Sequence, residues 1–201
     1  MACDVAARAG RVLVVGKVRG MPPKRRDAAR NRERLLAAAR RVFAEQGHDV
    51  PLEEVARAAE ISRTTIYRNF ATREELAAEV HEDNVARIER RAVELSARDD
   101  GVVELFDFVL AMQVEHRSLT RILSAANVEW FAGLAERTRA AFLPLVERGG
   151  AAGVMQGGVD VEDVILAFSM AGGALADYAV SGTAEVDDRL RAMLHRALFS
   201  R

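Results

Sequence analysis

The stretch that most constrains the fold is residues 52–70, LEEVARAAEISRTTIYRNF. Its first half has apolar residues at helical spacing, which predicts a short helix with one buried stripe made of Leu52, Val55, Ala56 and Ala59. After a corner at Ile61, Ser62 is placed to cap a second helix through its hydroxyl. In that second helix Ile66 and Phe70 lie four residues apart and define the inward face. The pattern predicts two short helices joined by a tight corner, a helix-turn-helix.

The outward face of the second helix is polar and rich in hydrogen-bond donors. It carries Arg63, Thr64, Tyr67 and Arg68, with Thr65 and Asn69 on its flanks. A helix of this length fits the major groove of DNA, where arginine can bind guanine through two hydrogen bonds. We therefore expect Arg63, Thr64 and Arg68 to contact base edges, and Thr65, Asn69 and Arg73 to position the helix on the backbone.

Residues 32–76, RERLLAAARRVFAEQGHDVPLEEVARAAEISRTTIYRNFATREEL, resemble the DNA-binding domain of the TetR family of transcriptional regulators. The resemblance is carried by Phe43, Gly47, Val55-Ala56, Tyr67, Phe70 and Glu74-Glu75-Leu76. Two positions depart from the family pattern. Glu60 stands where the family usually has a glycine in the turn, and Arg73 stands where it usually has a lysine. A non-glycine residue at positive φ in that turn would cost about 1 kcal/mol.

The resemblance implies roles for residues outside the helix-turn-helix. It implies that Tyr67 bonds a phosphate and that the last two long helices pair with their copies in a homodimer. It also implies a ligand cavity in the C-terminal domain, between helices predicted at residues 72–97, 102–116, 127–148 and 161–180. The candidate lining is apolar and aromatic, with His116 or Glu115 as a polar anchor: Phe106, Val109, Met112, His116, Trp130, Phe131 and Phe168. Residues at helical spacing are also ordinary core residues, so a purely structural role stays open.

The N-terminus is basic. The first 75 residues hold 16 Lys or Arg against 10 Asp or Glu, whereas the remainder holds 13 against 20. This distribution is typical of a DNA-reading head on an acidic body, although solvated surface charge alone also explains it. Lys24, Arg25 and Arg26 follow two prolines and are expected to form a flexible arm that contacts DNA. Either Met21 is the true start, or residues 1–23 form a disordered extension.

The predicted fold class is all-α. Alanine and leucine dominate, and helical periodicity recurs along the chain. Residues 24–72 are expected to form the DNA-binding domain, and residues 73–201 a C-terminal helical domain for ligand binding and dimerisation. Further helices are predicted at residues 28–46, 119–126 and 184–199. The helix at residues 161–180 is apolar nearly all round, and its small residues 171–174 would let another helix approach closely.

No motif of an enzyme or a cofactor site is present. The sequence lacks a phosphate-binding glycine loop, a nucleophile elbow and a Cys/His cluster at metal spacing. The pairs His81-Glu82 and Glu115-His116 each offer one good ligand at most, so no metal or other cofactor is expected. A single cysteine, Cys3, fits a reducing cytoplasm, and no stretch is long and apolar enough to span a bilayer.

These features together favour a non-enzymatic, ligand-responsive regulator. We expect a homodimeric repressor whose two recognition helices, about 34–36 Å apart, bind a near-palindromic operator and are released by a small apolar organic ligand. Activation instead of repression stays open, because the sign of regulation depends on operator position. The alternative is a module that binds a small molecule or a protein and has lost specific DNA binding.

Overall fold

The computed structural model describes residues 23–47, 49–115, 128–177 and 184–200, with side chains left undescribed at residues 23–29, 128–131 and 176–177. The described residues form eight helices: α1 (Pro23–Gln46), α2 (Leu52–Ala58), α3 (Arg63–Asn69), α4 (Arg73–Leu95), α5 (Gly101–Glu115), α6 (Val128–Ala151), α7 (Val161–Asp177) and α8 (Ala184–Leu198). Their only β pairing is an isolated antiparallel bridge between Met155 and Phe199. The all-α prediction is confirmed.

The N-terminal helices share a compact apolar core. Ile66 of α3 is fully buried, as are Phe43 of α1 and Val55 of α2. The same cluster includes Leu76 and Val80, so the first two turns of α4 complete the core of the N-terminal helices. Such a small three-helix unit buries little surface by itself, and α4 supplies the missing cover.

Caps fix where these helices begin and end. Gly47 adopts φ +87° after α1, a conformation that glycine tolerates at a helix C-terminus. The Ser62 hydroxyl accepts from the Thr65 N–H at 3.1 Å and begins α3. The Thr72 hydroxyl accepts from the Glu75 N–H at 3.2 Å and begins α4. The cap at Ser62 was predicted from the sequence and is confirmed.

The C-terminal helices surround a second core. α4 packs against α1, α5 and α6, while α7 packs against α5, α6 and α8. Phe106 of α5 is fully buried and stacks on Phe168 of α7 with ring centroids 4.9 Å apart. Phe142 of α6 joins them at 5.4 Å from Phe168. These aromatic contacts hold three helices together beside the cavity described below.

Two helix boundaries differ from the prediction. α1 begins at Pro23 rather than near residue 28, so the backbone of Lys24, Arg25 and Arg26 is helical and the predicted flexible arm is wrong there. Proline is tolerated in the first turn, and lysine and arginine are good helix formers. α6 continues through Gly149 to Ala151, beyond the predicted end at residue 148. A Cβ at Gly149 would lie 2.7 Å from a Val102 methyl carbon, so this glycine serves close helix packing rather than a turn.

The predicted close helix approach at residues 171–174 is not found within the described chain. A Cβ at Gly172 would have only Gln113 Nε2 within reach, at 3.9 Å, and one at Gly173 would meet nothing within 4 Å. The predicted helix at residues 119–126 lies outside the described residues. None of the helices described is long and apolar enough to cross a membrane.

The end of the chain is tied to the loop between α6 and α7. Gln156 N–H donates to the Leu198 carbonyl at 2.9 Å, and Ser200 N–H donates to the Val154 carbonyl at 2.8 Å. The Asp160 carboxylate then accepts from the Glu162 N–H at 2.9 Å and caps α7.

Candidate functional sites

The outward face of α3 is exposed along its length. Arg63, Thr64, Arg68 and Asn69 are exposed, Tyr67 is 42% exposed, and Thr65 is half-buried. The opposite side of the helix is anchored by Ile66, which has no exposed surface. Helix α3 therefore presents the polar face that the sequence predicted, with its rotation fixed by the core.

A carboxylate of α2 reaches onto this face, a contact that was not predicted from the sequence. Glu53 Oε1 lies 2.9 Å from an Arg63 guanidinium nitrogen and accepts a hydrogen bond of the same length from the Tyr67 hydroxyl. The Arg63 guanidinium also lies 5.6 Å from the centre of the Tyr67 ring. The hydrogen bond to Glu53 raises the pKa of the Tyr67 phenol. Glu53 thus holds two predicted DNA-contacting side chains in one arrangement.

Arg68 differs from Arg63 in its surroundings. Within the described residues Arg68 has no ion-pair partner, whereas Arg63 is bound to Glu53. Asn69 turns back on its own helix and donates to the Thr65 carbonyl at 2.7 Å. Arg73, at the start of α4, lies 3.5 Å from an Asp49 oxygen. Arg68 is therefore the most readily available cation on the α3 face.

The turn between α2 and α3 contains the predicted positive φ. Glu60 adopts φ 55°, and it is the only non-glycine residue with positive φ among the residues described. Arg34 of α1 spans the turn, donating to the Ala59 carbonyl at 3.0 Å and to Glu60 Oε2 at 2.8 Å. Arg34 thus braces a turn in which glycine would be free of strain.

A cavity of about 430 Å³ lies in the C-terminal domain between α4, α5, α6 and α7. Its apolar walls include Val109, Met112 and Phe168, three of the residues predicted to line it. Phe106 does not line the cavity; it is buried behind Phe168 because its ring stacks in the core. His116 lies outside the described residues, as do the side chains of Trp130 and Phe131.

The polar lining was largely missed by sequence reasoning. It consists of His81, Asn84, Gln113, Thr138 and Ser169. These residues look like ordinary helix surface in the sequence, and only helix packing turns them toward one space. Glu115, the alternative anchor, is exposed and does not line the cavity.

α4 connects this cavity to the N-terminal helices. It contributes His81, Asn84, Val85 and Ile88 to the lining. On another face of the same helix, Glu79 pairs with Arg32 and Asp83 pairs with Arg40, both of α1. Burial lowers the pKa of the Arg40 guanidinium, and Asp83 acts in the opposite direction. The cavity wall and the ion pairs to α1 therefore belong to one rigid element.

α4 is also fixed to α6. Arg137 of α6 makes two hydrogen bonds to Glu89, at 2.8 and 2.9 Å, and a third to Glu82 at 2.6 Å. These carboxylates raise the pKa of the Arg137 guanidinium, and Arg137 lowers the pKa of Glu89. Glu82, considered above as a metal ligand, is thereby bound to an arginine. No group of three His, Cys, Asp or Glu suited to a metal occurs in the part of the chain described.

Comparison with known proteins agrees with this architecture. Residues 35–80 match the model of bacterial regulatory proteins of the tetR family. A TetR transcription regulatory protein from Mycobacterium vanbaalenii is 27% identical with a TM-score of 0.65, over 89% of this chain and 100% of that one. The chain is therefore similar to TetR-family regulators over most of its length, and residues 35–80 match the family's DNA-binding domain.

Other solved structures of transcriptional regulators share the same fold. A TetR transcriptional regulator from Streptomyces coelicolor is 25% identical with a TM-score of 0.61, over 82% of this chain and 94% of that one. A protein from Saccharomonospora viridis, solved in complex with choline, is 20% identical with a TM-score of 0.60, over 86% of this chain and all of that one. No curated protein sequence matches at a significant level. The chain is thus a TetR-type DNA-binding regulator in fold.

Proposed function

We propose that this TetR-family protein is a homodimeric repressor that binds a near-palindromic operator and is released by a small organic ligand. The observation that carries the proposal is the exposed polar face of α3, whose rotation is fixed by the buried Ile66. Such a face, set on a rigid core, is what insertion into a major groove requires. The role is binding rather than catalysis.

Contacts to DNA are assigned by the surroundings of each side chain. Arg68 is the best candidate for a base edge, because it is exposed and has no ion-pair partner in the described chain. Arg63 must weaken or break its ion pair with Glu53 before it contacts DNA. Tyr67 is proposed to bond a phosphate, with Thr64 beside it at the base edges. Thr65, Asn69 and Arg73 are proposed to position the helix, and Lys24, Arg25 and Arg26 to add phosphate contacts from the start of α1.

Dimerisation is supported by large apolar side chains exposed on the last two helices. Leu166 and Met170 of α7 are 57% and 60% exposed, and Met193 of α8 is 55% exposed. Leu166 and Met170 lie four residues apart and share one face of α7. Large apolar side chains exposed on two helices that pack together are typical of an interface between copies.

Release by a ligand is proposed to act through α4. A ligand that fits only one position of α4 would favour that position, and the ion pairs to α1 would carry the shift to the N-terminal helices. The separation of the two recognition helices would then no longer match successive major grooves. The same fold accommodates choline in the Saccharomonospora viridis protein.

Selection of bound sequences from random DNA, repeated at several salt concentrations, tests the proposal. The expected result is an inverted repeat with half-sites one helical turn apart, retained as salt rises. Size-exclusion chromatography with light scattering should give twice the monomer mass. Binding that falls steeply with salt and selects no motif would instead support a module without specific DNA binding.

A further inference from the structure

The cavity described above has a lining that restricts the charge of its ligand. None of the lining residues in the described chain is Asp, Glu, Lys or Arg. The charges nearest in sequence are already paired: Arg137, next to Thr138, is bound by Glu82 and Glu89, and Asp83, next to Asn84, is bound by Arg40. An ion entering this space would lose its water without meeting a permanent counter-charge, since His81 is the one described lining residue that can become charged, and only as a cation.

The lining also restricts the hydrogen-bonding character of the ligand. The Thr138 hydroxyl donates to the Leu134 carbonyl at 3.0 Å, and the Ser169 hydroxyl donates to the Ile165 carbonyl at 3.1 Å. Both hydroxyl hydrogens are therefore committed to the helix backbone, and only the oxygen lone pairs remain. These two side chains offer acceptors to a ligand rather than donors.

Gln113 adds a third acceptor and has the clearest need of a partner. Its Nε2 donates to the Phe168 carbonyl at 3.2 Å, which bridges α5 and α7 and sets the orientation of the amide. Its Oε1 is shielded from solvent and accepts no hydrogen bond within the described chain. A buried carbonyl oxygen without a donor is costly, and a ligand donor would remove that cost.

We propose that the effector is an uncharged, largely apolar molecule carrying a hydroxyl or N–H group that donates to Gln113 Oε1. A phenol of two fused rings is a suitable example, because its rings would pack against Phe168 and Ile88. A small rotation of the Gln113 side chain would bring Oε1, which is shielded in the present arrangement, into contact with the phenol hydroxyl. The volume of about 430 Å³ lies in the range usual for small-molecule sites. The inference rests on the proposed function in taking this cavity as the effector site.

The test uses four probes that share one ring system: naphthol, methoxynaphthalene, naphthoate and trimethylnaphthylammonium, each substituted at the same ring position. Calorimetry with the purified full chain near neutral pH, where naphthol is uncharged, measures their affinities without DNA. Naphthol is expected to bind about tenfold more tightly than its methyl ether, which lacks the donor. Both ions are expected to bind at least about a hundredfold more weakly than naphthol.

Variants locate the donor contact. Gln113→Met keeps the length of the side chain but removes the acceptor. The affinity for naphthol should therefore fall about tenfold, and the affinity for methoxynaphthalene should be unchanged. Ile165→Val is the matched control, since trimming an apolar wall should weaken naphthol and its ether equally. Far-UV circular dichroism checks that each variant is folded. If Gln113→Met does not fold, Gln113→Glu is used in its place, and its carboxylate, which keeps the acceptor, should bind naphthol no more weakly than the wild-type amide does. The four probes on the unaltered chain decide the charge and donor character of the ligand.

Three results would overturn the inference: an ion that binds as tightly as naphthol, equal binding of naphthol and its ether, or no binding by any probe. The proposed function fails separately, through DNA selection that yields no inverted repeat. A chain that binds naphthol as expected but selects no DNA motif would keep the ligand assignment and lose the regulator.

Discussion

Replacing Glu60 offers a direct measure of strain in the turn that precedes the recognition helix. Glu60 adopts φ 55°, which costs an L-residue with a Cβ about 1–2 kcal/mol. In Glu60→Gly the Cβ is removed, whereas in Glu60→Ala it is kept. Both variants lose the ion pair with Arg34 equally, so the difference between them isolates the backbone.

The magnitude follows from two opposing effects. Glycine removes the strain of about 1–2 kcal/mol. Glycine also makes the unfolded chain more flexible than alanine does, which lowers the free energy of unfolding by about 0.4–1 kcal/mol. Glu60→Gly should therefore be more stable than Glu60→Ala by about 0.5–1 kcal/mol, or about 2 °C in melting temperature for a chain of this size. The lost ion pair itself matters little, because the Glu60 side chain is 83% exposed and exposed pairs contribute about 0–0.5 kcal/mol.

Thermal and urea unfolding followed by far-UV circular dichroism, at one protein concentration, measure this difference. Glu60→Gln is the control that removes the charge and keeps the conformation, and it should lose no more than about 0.5 kcal/mol. If Glu60→Ala equals or exceeds Glu60→Gly in stability, the strain at the positive φ does not exceed the cost of glycine in the unfolded chain, and the predicted magnitude is wrong. A large loss in Glu60→Gln would show that the contact with Arg34 outweighs the backbone effect.

Three further predictions follow from the surroundings of single residues. Arg68→Ala should weaken operator binding by about 1–3 kcal/mol and relax the sequence preference at one position of the operator. Fluorescence anisotropy measures both effects. An equal loss of affinity for random DNA would show that Arg68 contacts a phosphate instead of a base. Gly172→Ala should stabilise the chain by up to about 1 kcal/mol, because the added methyl group would clash with nothing and would have only Gln113 Nε2 nearby, at 3.9 Å. Gly149→Ala should destabilise the chain, because its methyl group would overlap a valine of α5. Unfolding midpoints that fall for both variants would contradict this. Glu53→Gln should lower the pKa of Tyr67 from its raised value, because the carboxylate favours the protonated phenol. Ultraviolet titration measures this pKa once the titration curve of the Tyr67→Phe variant has been subtracted. An unchanged pKa would refute the prediction.

Local patterns explain why the helix-turn-helix could be predicted from the sequence. The spacing of Val55, Ile66 and Phe70 and the cap at Ser62 depend on neighbours within a few residues, and all four lie as expected. Glu60 was identified as a strained position for the same reason, since a turn of known geometry demands a particular φ.

Features that depend on helix packing could not be predicted in the same way. Glu53 comes 14 residues before Tyr67, and its place beside the recognition helix is set by the angle between α2 and α3. Gln113 and Thr138 are polar residues in amphipathic helices, and nothing in their local pattern separates a cavity wall from a solvated face. The same limit explains Phe106, whose aromatic character fitted a ligand contact but whose ring lies in the core.

The sharing of α4 between the two cores has a consequence for protein engineering. Leu76, Ala77 and Val80 belong to the core of the N-terminal DNA-binding helices, whereas Ile88 and Leu95 belong to the core of the C-terminal helices. A chimera that combines another DNA-binding domain with the C-terminal helices of this chain should therefore be joined beyond residue 80. A joint at residue 72 would pack the new DNA-binding helices against the first turns of an unrelated α4. The chimera would then gain the new sequence specificity together with a packing defect in the N-terminal core.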